Sequence, residues 1–461
     1  MKTYDAIIIG SGQAGTPLAK KLAKAGKKTA IIEKRVVGGT CINDGCTPTK
    51  TWVASAKAAY MARHSDKLGV HVKDFTIDMP LIKKRKDGIV SQFRDGSQKG
   101  LEDTEGVDLI FGEASFTGEK TLSIKLKAGG TQEITAELIF INVGAKTAVP
   151  DIEGLKNVDY LTSTSILELD TIPENMLIIG GSYIGMEFGQ MFRRFSSKIT
   201  MLETSARALP HEDEDIAEEI IKLLEAEHIT FYADAKVKKI SKKADGHLEA
   251  QITVGDKEHV FTYSHVLVAA GRVPQTEALN LKAAGVETDE HGHVKVNDKL
   301  ETNIKGIYAL GDVKGGPAFT HIAYNDYTIV YRNLIQKANL SIKDRLVPYC
   351  MFTDPPLGRV GITEAEAKKK GLKVTIAKLP MTRVARAIET GDTRGFMKAV
   401  VDTDTKKILG VAILGQEGGE IMSVLQMAMV GGITYDEIRY MVFAHPLYSE
   451  SLNNLFMTLE P

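Results

Sequence analysis

The glycine-rich stretch at residues 10–15, Gly-Ser-Gly-Gln-Ala-Gly, decides the fold of the N-terminal region. It directly follows a short apolar run, residues 4–9, and it opens a stretch with helical spacing. In this pattern Gly10 permits the tight turn, Gly12 lets a pyrophosphate approach the backbone, and Gly15 lets the helix pack on the strand. The helix N-terminus then offers unpaired N–H groups and a positive dipole to the phosphates. We therefore predict a dinucleotide-binding strand–turn–helix unit.

An acidic residue stands at the distance that this motif requires. A second strand-like run, residues 28–33, ends at Glu33, whose carboxylate can accept hydrogen bonds from ribose hydroxyls. The alternative is a glycine turn with an unrelated surface glutamate. Because the strand, the helix and the acid occur together, the dinucleotide site is favoured.

A second copy of this unit begins at residue 176. Residues 180–185 read Gly-Gly-Ser-Tyr-Ile-Gly, so Gly180 and Gly185 take the outer positions and Ser182 replaces the middle glycine. Glu203 follows the last glycine by eighteen residues. Because a strand–turn–helix–strand unit recurs at a distant position, we predict two nucleotide-binding domains of similar α/β fold.

The acid of the second copy bears on the choice of nicotinamide cofactor. A carboxylate at Glu203 favours free ribose hydroxyls and repels a 2′-phosphate, which favours NADH over NADPH. Arg207 and the pair Arg193–Arg194 lie close enough in the sequence to attract such a phosphate. The sequence therefore favours NADH and leaves NADPH as an alternative.

Two of the three cysteines, Cys41 and Cys46, have four residues between them and can close a small disulfide loop. Pro48 suits a first helical turn, so we expect Cys46 at the N-terminal end of a helix that runs to about residue 60. This location lowers the pKa of a thiol and favours the thiolate. Lys50 lies one turn further along the same helical face.

The alternatives for this pair are two buried thiols or half of a zinc site. Zinc requires further cysteine or histidine ligands at characteristic spacing, and the third cysteine is the distant Cys350. We therefore predict a redox-active disulfide, an inert core thiol at Cys350, and no metal site.

Composition excludes several classes of protein. With 58 basic and 59 acidic side chains among 461 residues, no global basic field is present to hold a nucleic acid. No apolar run reaches the ~18 residues of a membrane helix, and the N-terminus lacks a secretory signal. The sequence therefore predicts a cytoplasmic protein without a membrane or nucleic-acid partner.

Strand-like runs also follow the two glycine loops. Residues 105–147 are rich in them, and a third region that begins near Pro348 alternates such runs with the helical stretch 420–430. At roughly 150 residues per domain, a chain of this length accommodates about three domains.

Together these motifs resemble those of the class I pyridine nucleotide–disulfide oxidoreductases, FAD-dependent enzymes that include dihydrolipoamide dehydrogenase, glutathione reductase and mercuric reductase. The resemblance covers essentially the whole chain, because four further motifs occur in the family's order. These are Ala-Ala-Gly-Arg-Val-Pro-Gln-Thr at 269–276, Tyr-Ala-Leu-Gly-Asp-Val at 308–313, Phe-Thr-Asp-Pro at 352–355 and His-Pro-Leu-Tyr-Ser-Glu at 445–450.

The resemblance implies a fold of two Rossmann-like dinucleotide-binding domains and a C-terminal α+β dimerisation domain. It implies a discontinuous FAD-binding domain of residues 1–148 and 271–337, an NAD(P)H-binding domain of residues 149–270, and an interface domain of residues 338–461. The expected assembly is a homodimer whose active site is shared between subunits.

The resemblance also implies the cofactor-binding residues. Those expected to bind FAD are Gly10, Gly12, Gly15, Glu33, Gly39, Thr40, Lys50, Gly144, Gly311 and Asp312. Those expected to bind NAD(P)H are Gly180, Ser182, Tyr183, Gly185, Glu187, Glu203 and Gly271. Lys50 is expected beside the flavin N5, paired with Glu187. Tyr183 resembles the aromatic gate of the nicotinamide pocket, and the alternative for Tyr183 is simple packing in the turn.

For the chemistry, the resemblance implies that electrons pass from NAD(P)H through FAD to the Cys41–Cys46 disulfide. Cys46 would be the thiolate that contacts the flavin, and Cys41 the exposed thiol that attacks the substrate. His445 and Glu450 would form an acid–base pair supplied by the other subunit. A carboxylate that fixes one imidazole tautomer raises its basicity, which suits proton exchange with a thiol. Leu447 departs from the threonine common at its position, which affects local hydrogen bonding.

The small-molecule substrate is less well defined. Asp44, Thr47 and Thr49 depart from the residues usual in the dihydrolipoamide and glutathione enzymes, and the run Thr-Pro-Thr-Lys-Thr with Trp52 looks closer to the mercuric-reductase-like branch. That branch also holds reductases of small oxidants such as hypothiocyanous acid. Residues 454–461 lack a cysteine pair and no metal-binding domain precedes the first residue, so mercury detoxification is disfavoured.

Three functions therefore remain. A metal-ion, oxidant or disulfide reductase of this branch is the first choice, and dihydrolipoamide dehydrogenase is the second. The third, a flavin redox sensor without turnover, is disfavoured by the His445–Glu450 pair, because a sensor needs no partnered acid–base group.

Overall fold

A computed structural model describes residues 1–459, and Glu460 and Pro461, the end of the cysteine-lacking stretch noted above, lie outside the described residues. The chain forms two compact units. The first contains Met1–Thr51, Leu81–Ala148 and Gly271–Arg345. The second contains Trp52–Pro80, Val149–Ala270 and the chain from Leu346 onward. The division into three domains with a boundary at residue 337 stays a prediction.

The strands and helices follow one another in the alternating order that the sequence indicates. The strands are β1 Lys2–Ile9, β2 Thr29–Glu33, β3 Val107–Gly118, β4 Thr121–Leu126, β5 Thr131–Ile141, β6 Ala145–Thr147, β7 Leu161–Thr162, β8 Asn175–Ile179, β9 Lys198–Leu202, β10 Thr230–Tyr232, β11 Ala235–Lys242, β12 Leu248–Val254, β13 Lys257–Tyr263, β14 His265–Val268, β15 Arg272–Pro274, β16 Ile307–Ala309, β17 Tyr349–Met351, β18 Leu357–Gly361, β19 Val374–Pro380, β20 Phe396–Asp402 and β21 Ile408–Leu414. The α-helices are α1 Gly15–Lys24, α2 Gly39–Asn43, α3 Cys46–His64, α4 Met79–Glu102, α5 Tyr183–Arg194, α6 Glu214–Ala226, α7 Thr320–Gln336, α8 Glu364–Lys369, α9 Ala385–Glu389, α10 Gly418–Gly431, α11 Tyr435–Arg439 and α12 Ser451–Met457.

The first unit is built on a parallel sheet in the order β3-β2-β1-β5-β16, with β4 joining β3 and β5 antiparallel. Successive side chains of a strand point to opposite faces. Accordingly Ile7 and Ile9 of β1 lie in one hydrophobic core, whereas Ala6 and Ile8 lie in another. Both faces of the sheet are therefore covered, as expected for parallel strands with helical crossovers.

The second unit repeats this architecture. Its parallel sheet has the order β10-β9-β8-β14-β7, and the antiparallel strands β11, β12 and β13 form a separate sheet. In the first sheet β1 leads into the glycine loop and lies between β2 and β5, and in the second sheet β8 does so and lies between β9 and β14. In both units antiparallel strands precede the later neighbour, β5 or β14, in the chain. This duplication confirms the predicted α/β class with two Rossmann-like folds.

The C-terminal part of the second unit is a five-stranded antiparallel sheet in the order β17-β18-β21-β20-β19, and α10 packs against β18 and β21. Leu425 of α10 and Phe456 of α12 are fully buried in its core. The other face of α10 exposes Met427 and Val430, which are 76% and 74% accessible. This α+β domain confirms the predicted C-terminal fold. Within residues 1–459 no helix combines the length and the apolar character needed to cross a membrane.

Candidate active site

The first glycine loop is shaped by its contacts with neighbouring backbone. The Gly10 N–H donates to the carbonyl of Ile32 over 2.8 Å, and Gly10 has a φ of +103°, which favours glycine. A Cβ on Gly10 would lie 2.3 Å from the carbonyl oxygen of Asn142. A Cβ on Gly15, where α1 begins, would lie 2.1 Å from the carbonyl oxygen of Gly10. Neither position has room for a side chain.

Glu33 ties this loop to the end of β2. One carboxylate oxygen accepts hydrogen bonds from the Ser11 N–H at 3.1 Å and the Ser11 hydroxyl at 2.6 Å. The other accepts from the Arg35 N–H at 2.8 Å. Each carboxylate oxygen can accept more than one hydrogen bond, so Glu33 can hold the loop and still receive a ribose hydroxyl.

The second glycine loop has the same construction. A Cβ on Gly180, whose φ is +116°, would lie 2.4 Å from the carbonyl oxygen of Ala269, and a Cβ on Gly185 would lie 2.1 Å from that of Gly180. Glu203 accepts hydrogen bonds from the Gly181 N–H at 3.0 Å and from the Ser205 N–H at 2.8 Å. The geometry therefore contains two dinucleotide-type turns.

Ser182 and Tyr183 occupy the start of α5. Ser182 is the N-cap residue with φ of −93° and ψ of 179°, an extended backbone that any residue adopts. This negative φ explains why a serine can replace the middle glycine here. Tyr183 is the first helical residue and is partly exposed, and its role as a gate stays a prediction.

The arginines near the second loop are engaged with protein groups. Arg194 is buried and pairs with Glu227 at 2.7 Å and with Asp354 at 2.9 Å. Arg193 Nε donates to the backbone carbonyl of Glu227 over 2.7 Å. Arg207 donates to three backbone carbonyls of the segment that follows it, at 3.5, 3.0 and 2.9 Å. The arginines named in the sequence as possible 2′-phosphate partners thus already have carboxylate or carbonyl partners.

The cysteine-bearing segment is attached to the first glycine loop. The Gly38 N–H donates to the carbonyl of Ser11 over 3.1 Å. A Cβ on Gly39, whose φ is +63°, would lie 2.7 Å from the Cα of Gly12. The short helix α2 then carries Thr40, which is half-buried, and the cysteine that follows it. This close backbone approach places the cysteine pair next to the turn expected to receive a pyrophosphate.

Both cysteines are in the thiol form, and Cys46 is the more exposed, whereas Cys41 is half-buried. The assignment of Cys41 as the exposed interchange thiol and of Cys46 as the thiolate that contacts the flavin stays a prediction. The Cys46 sulfur lies 3.3 Å from the hydroxyl of Thr320, the first residue of α7. A hydrogen bond with Cys46, together with burial, raises the pKa of the Cys41 thiol above its ordinary value.

Thr320 was missed by the sequence reasoning. It lies 274 residues from Cys46 and belongs to none of the motifs considered. The available signal was a threonine at the start of a helix, directly after the loop that begins at Gly311.

His445 and Glu450 meet as predicted. The imidazole Nδ1 lies 3.1 and 3.0 Å from the two carboxylate oxygens of Glu450. The histidine side chain is 72% exposed, whereas the glutamate side chain is 19% exposed. Such a pair holds the proton on Nδ1 and leaves Nε2 as the basic nitrogen.

Several expected cofactor residues have defined local partners in the first unit. Asp312 lies 3.4 Å from the guanidinium of Arg272, and the Gly311 N–H donates to the buried carboxylate of Asp326 over 2.9 Å. Gly144 and Gly271 flank the antiparallel pair of β6 and β15. Gly271 therefore belongs to the first unit, although it was expected to contact NAD(P)H, and that role stays a prediction.

Lys50 and Glu187 lie on different helices, α3 and α5. Glu187 is 6% exposed, and its carboxylate accepts a hydrogen bond from the Phe352 N–H at 2.8 Å. The expected pairing of Lys50 with Glu187 stays a prediction. Cys350, expected in a core, is half-buried on β17. In the described part of the chain no three or more His, Cys, Asp or Glu side chains are grouped so that they could hold a metal ion.

Known proteins match this chain along nearly its full length. The family model "Pyridine nucleotide-disulphide oxidoreductase" matches residues 4–326, and its dimerisation domain matches residues 347–456. The probable pyridine nucleotide-disulfide oxidoreductase RclA of Escherichia coli is 39% identical over 99% of both chains. A mercuric reductase of Bacillus cereus is 35% identical over 99% of this chain and 72% of its own length.

A solved structure has the same fold. The Cu(II) complex of the HOCl-induced flavoprotein disulfide reductase RclA from Escherichia coli superposes with a TM-score of 0.91 at 37% identity, covering 100% of both chains. These matches agree with the paired glycine loops, the adjacent cysteines and the C-terminal α+β domain. The chain therefore belongs to the pyridine nucleotide–disulfide oxidoreductase family, the FAD-dependent enzymes that transfer electrons from NAD(P)H to a disulfide.

Proposed function

We propose that this protein reduces a small thiol-reactive oxidant, metal ion or disulfide at Cys41 and Cys46, with NADH as the preferred electron donor. The observation that carries the proposal is the reactive pair itself: an exposed sulfur at the start of α3, next to the Thr320 hydroxyl and hydrogen-bonded to a second thiol. A helix N-terminus and a hydroxyl donor both stabilise a thiolate, so the pair is suited to redox exchange rather than to packing. The cytoplasmic location stays a prediction.

The first glycine loop fits FAD. Its glycines place no side chain between the backbone and a pyrophosphate, Glu33 can accept ribose hydroxyls, and the turn that holds Gly39 brings the cysteines to the same loop. FAD, when bound, supplies the two-electron carrier between the pyridine nucleotide and the cysteines. The protein positions these groups, and the second loop is proposed to hold the nicotinamide cofactor.

The two cysteines divide the work of substrate reduction. With a disulfide substrate, the Cys41 thiolate attacks one sulfur atom, which breaks the substrate's S–S bond, releases its first thiol and leaves the other half bound to Cys41 as a mixed disulfide. The Cys46 thiolate then attacks the Cys41 sulfur, which expels the reduced substrate and forms the disulfide. Two electrons from NADH return the disulfide to the dithiol. The assignment of these roles to the two cysteines rests on the family resemblance.

His445 supplies the proton transfers. Because the pKa of Cys41 is raised, a base is needed to form its thiolate near neutral pH. Glu450 orients the imidazole so that Nε2 can take the thiol proton and give it to the leaving group. We propose that this pair comes from the partner subunit, through the dimerisation domain.

NADH is preferred for an electrostatic reason. Glu203 presents a carboxylate where a 2′-phosphate would lie, and Arg193, Arg194 and Arg207 are held by other groups. A phosphate at this position would therefore meet a negative charge without a compensating cation.

The decisive experiment replaces one thiol. Cys41→Ser is expected to abolish NADH-driven reduction of every substrate, because the nucleophile is lost, while the bound flavin is still reduced by NADH. Cys350→Ser is the matched control and is expected to retain wild-type turnover. Undiminished turnover by Cys41→Ser would show that the dithiol mechanism is wrong.

The same assay identifies the substrate. The panel contains lipoamide, glutathione disulfide, Hg²⁺ and hypothiocyanite, and Cu(II) is added because the solved relative is described as a Cu(II) complex. A kcat/KM for lipoamide far above all others would favour dihydrolipoamide dehydrogenase. Flavin reduction without turnover of any member would favour a redox sensor.

The partner-subunit assignment is tested by mixing inactive subunits. Cys41→Ser and His445→Ala homodimers are each expected to be inactive near neutral pH, and exchange should create one complete site per heterodimer. Below the raised pKa of Cys41, the residual rate of His445→Ala should rise about tenfold per pH unit, because the thiolate then forms without a base. No recovery despite verified exchange would place His445 in the site of its own chain.

A further inference from the structure

A buried amide lies between two turns of the first unit. Asn142 directly follows β5, and β5 pairs with β1 on one side and β16 on the other. The first glycine loop begins where β1 ends, and the turn at Gly311 begins just after β16. Because the carboxyl ends of parallel strands meet at one edge of a sheet, Asn142 occupies the position between both turns.

The Asn142 side chain is hydrogen-bonded to the first turn and lies beside the second. Its Nδ2 donates to the carbonyl of Gly10 over 3.2 Å. The same nitrogen would lie 2.8 Å from a Cβ on Gly15 and 3.3 Å from a Cβ on Gly12, so the amide fills the space that these glycines leave. On the other side, Oδ1 would lie 3.4 Å from a Cβ on Gly311.

This amide has hydrogen-bonding capacity beyond its contact with the loop. Within residues 1–459, Gly10 is the partner recorded for the side chain of Asn142, which is only 7% exposed. A carboxamide offers two donors and a carbonyl acceptor, so one N–H and Oδ1 remain. Oδ1 is not among the fully buried atoms that lack a partner, so it can be reached from the space beside the turns, where a polar group of a ligand can donate to it.

The second unit provides an internal contrast. Ala269 follows β14 as Asn142 follows β5, and its N–H donates to Ile179 over 2.8 Å just as that of Asn142 donates to Ile9 over 2.9 Å. The backbone of the two positions is therefore equivalent, but the second loop has a methyl group where the first has an amide. The amide is not needed to form a glycine loop of this type.

We propose that Asn142 is a positioning residue for the flavin: its amide holds the glycine loop and the Gly311–Asp312 turn in register, and its remaining polar atoms face the bound dinucleotide. This inference rests on the proposed assignment of FAD to the first loop. It adds to that assignment a residue outside the G-x-G-x-x-G pattern, and it accounts for the difference between the loops.

The test compares FAD release and pyridine-nucleotide binding in holoenzyme variants. Asn142→Ala copies the second loop, and Asn142→Asp keeps one oxygen but places a carboxylate against the Gly10 carbonyl. Release of FAD after dilution, followed by the return of flavin fluorescence, is expected to be roughly tenfold faster in Asn142→Ala, as for the loss of a buried hydrogen bond, and faster still in Asn142→Asp. The Kd for NADH should change less than twofold in both.

Two results would overturn the inference. One is FAD release at the wild-type rate in both variants, whatever their thermal stability. The other is an equal loss of FAD and NADH affinity, which would indicate general damage to the fold. Gly12→Val separates this inference from the proposed function. If Gly12→Val keeps FAD, then FAD does not bind at the first loop and the proposed function fails. If Gly12→Val loses FAD while the Asn142 variants keep it, only the role of Asn142 fails.

Discussion

The two glycine loops share one backbone design and differ in what surrounds it. In both, the first glycine has a positive φ and abuts a neighbouring carbonyl, and a glutamate from the next strand accepts two backbone N–H groups. The first loop is also braced by the Asn142 amide and covered by the turn at Gly39, whereas the second has Ala269 at the equivalent position and an extended serine.

This difference suits two kinds of ligand. Additional contacts around the first loop favour a cofactor that stays bound through many turnovers. The second loop keeps the elements needed to receive a pyrophosphate and omits the bracing, which favours a nucleotide that must leave after each turnover. We therefore propose that the shared elements set the type of ligand and that the surrounding contacts set how firmly the ligand is held.

The largest expected effect comes from adding one methyl group to either loop. In Gly10→Ala the new Cβ would meet the Asn142 carbonyl at 2.3 Å with an unfavourable φ, a combined cost of about 3–5 kcal/mol. We expect this variant to lose most of its flavin, measured as the ratio of flavin to protein absorbance. The matched Gly180→Ala should keep its flavin and lose reduction by NADH. Full flavin in Gly10→Ala would contradict the assignment of the first loop to FAD.

An intermediate effect is expected from the acid of the second loop. Glu203→Gln removes the negative charge but keeps an oxygen that can accept from the Gly181 N–H. The ratio of kcat/KM for NADPH to that for NADH should rise about tenfold, which corresponds to about 1.4 kcal/mol of removed repulsion. Glu33→Gln is the control, because the same change in the first loop should leave this ratio unaltered. An unchanged ratio in Glu203→Gln would place the origin of cofactor choice elsewhere.

The smallest effect is expected at the middle position of the second loop. Ser182 has a negative φ, so its Cβ causes no backbone strain, and Ser182→Gly should change the KM for NADH by less than about twofold. Steady-state kinetics at saturating oxidant measure this value. A large gain in affinity would mean that the serine side chain hinders the approach of the pyrophosphate.

Most of the fold could be predicted from the sequence. The strand–turn–helix–strand units at Gly10 and Gly180 were recognisable because hydrophobic periodicity and glycine positions act over about 25 residues. The position of Cys46 at a helix start followed from Pro48, and the pairing of His445 with Glu450 followed from the resemblance to the family. Exact helix limits were less certain: α3 extends to His64 rather than to about residue 60.

Burial and long-range partners were decided by the tertiary structure. Arg194 looked like a candidate for a phosphate partner, yet it is buried against Glu227 and Asp354, the second of which lies 160 residues away. A local sequence pattern does not predict burial or such distant partners, because both depend on which strands and helices pack together.

The paired loops, the cysteine pair and the His–Glu pair were therefore determined by the order and spacing of residues, since each arises within one short segment. Two contacts were decided only by folding. Thr320 lies beside Cys46 although 274 positions separate them in the chain, and Asn142 lies beside Gly10 although 132 positions separate them. Local chemistry depends on short-range sequence, whereas the environment that tunes it depends on packing between distant segments.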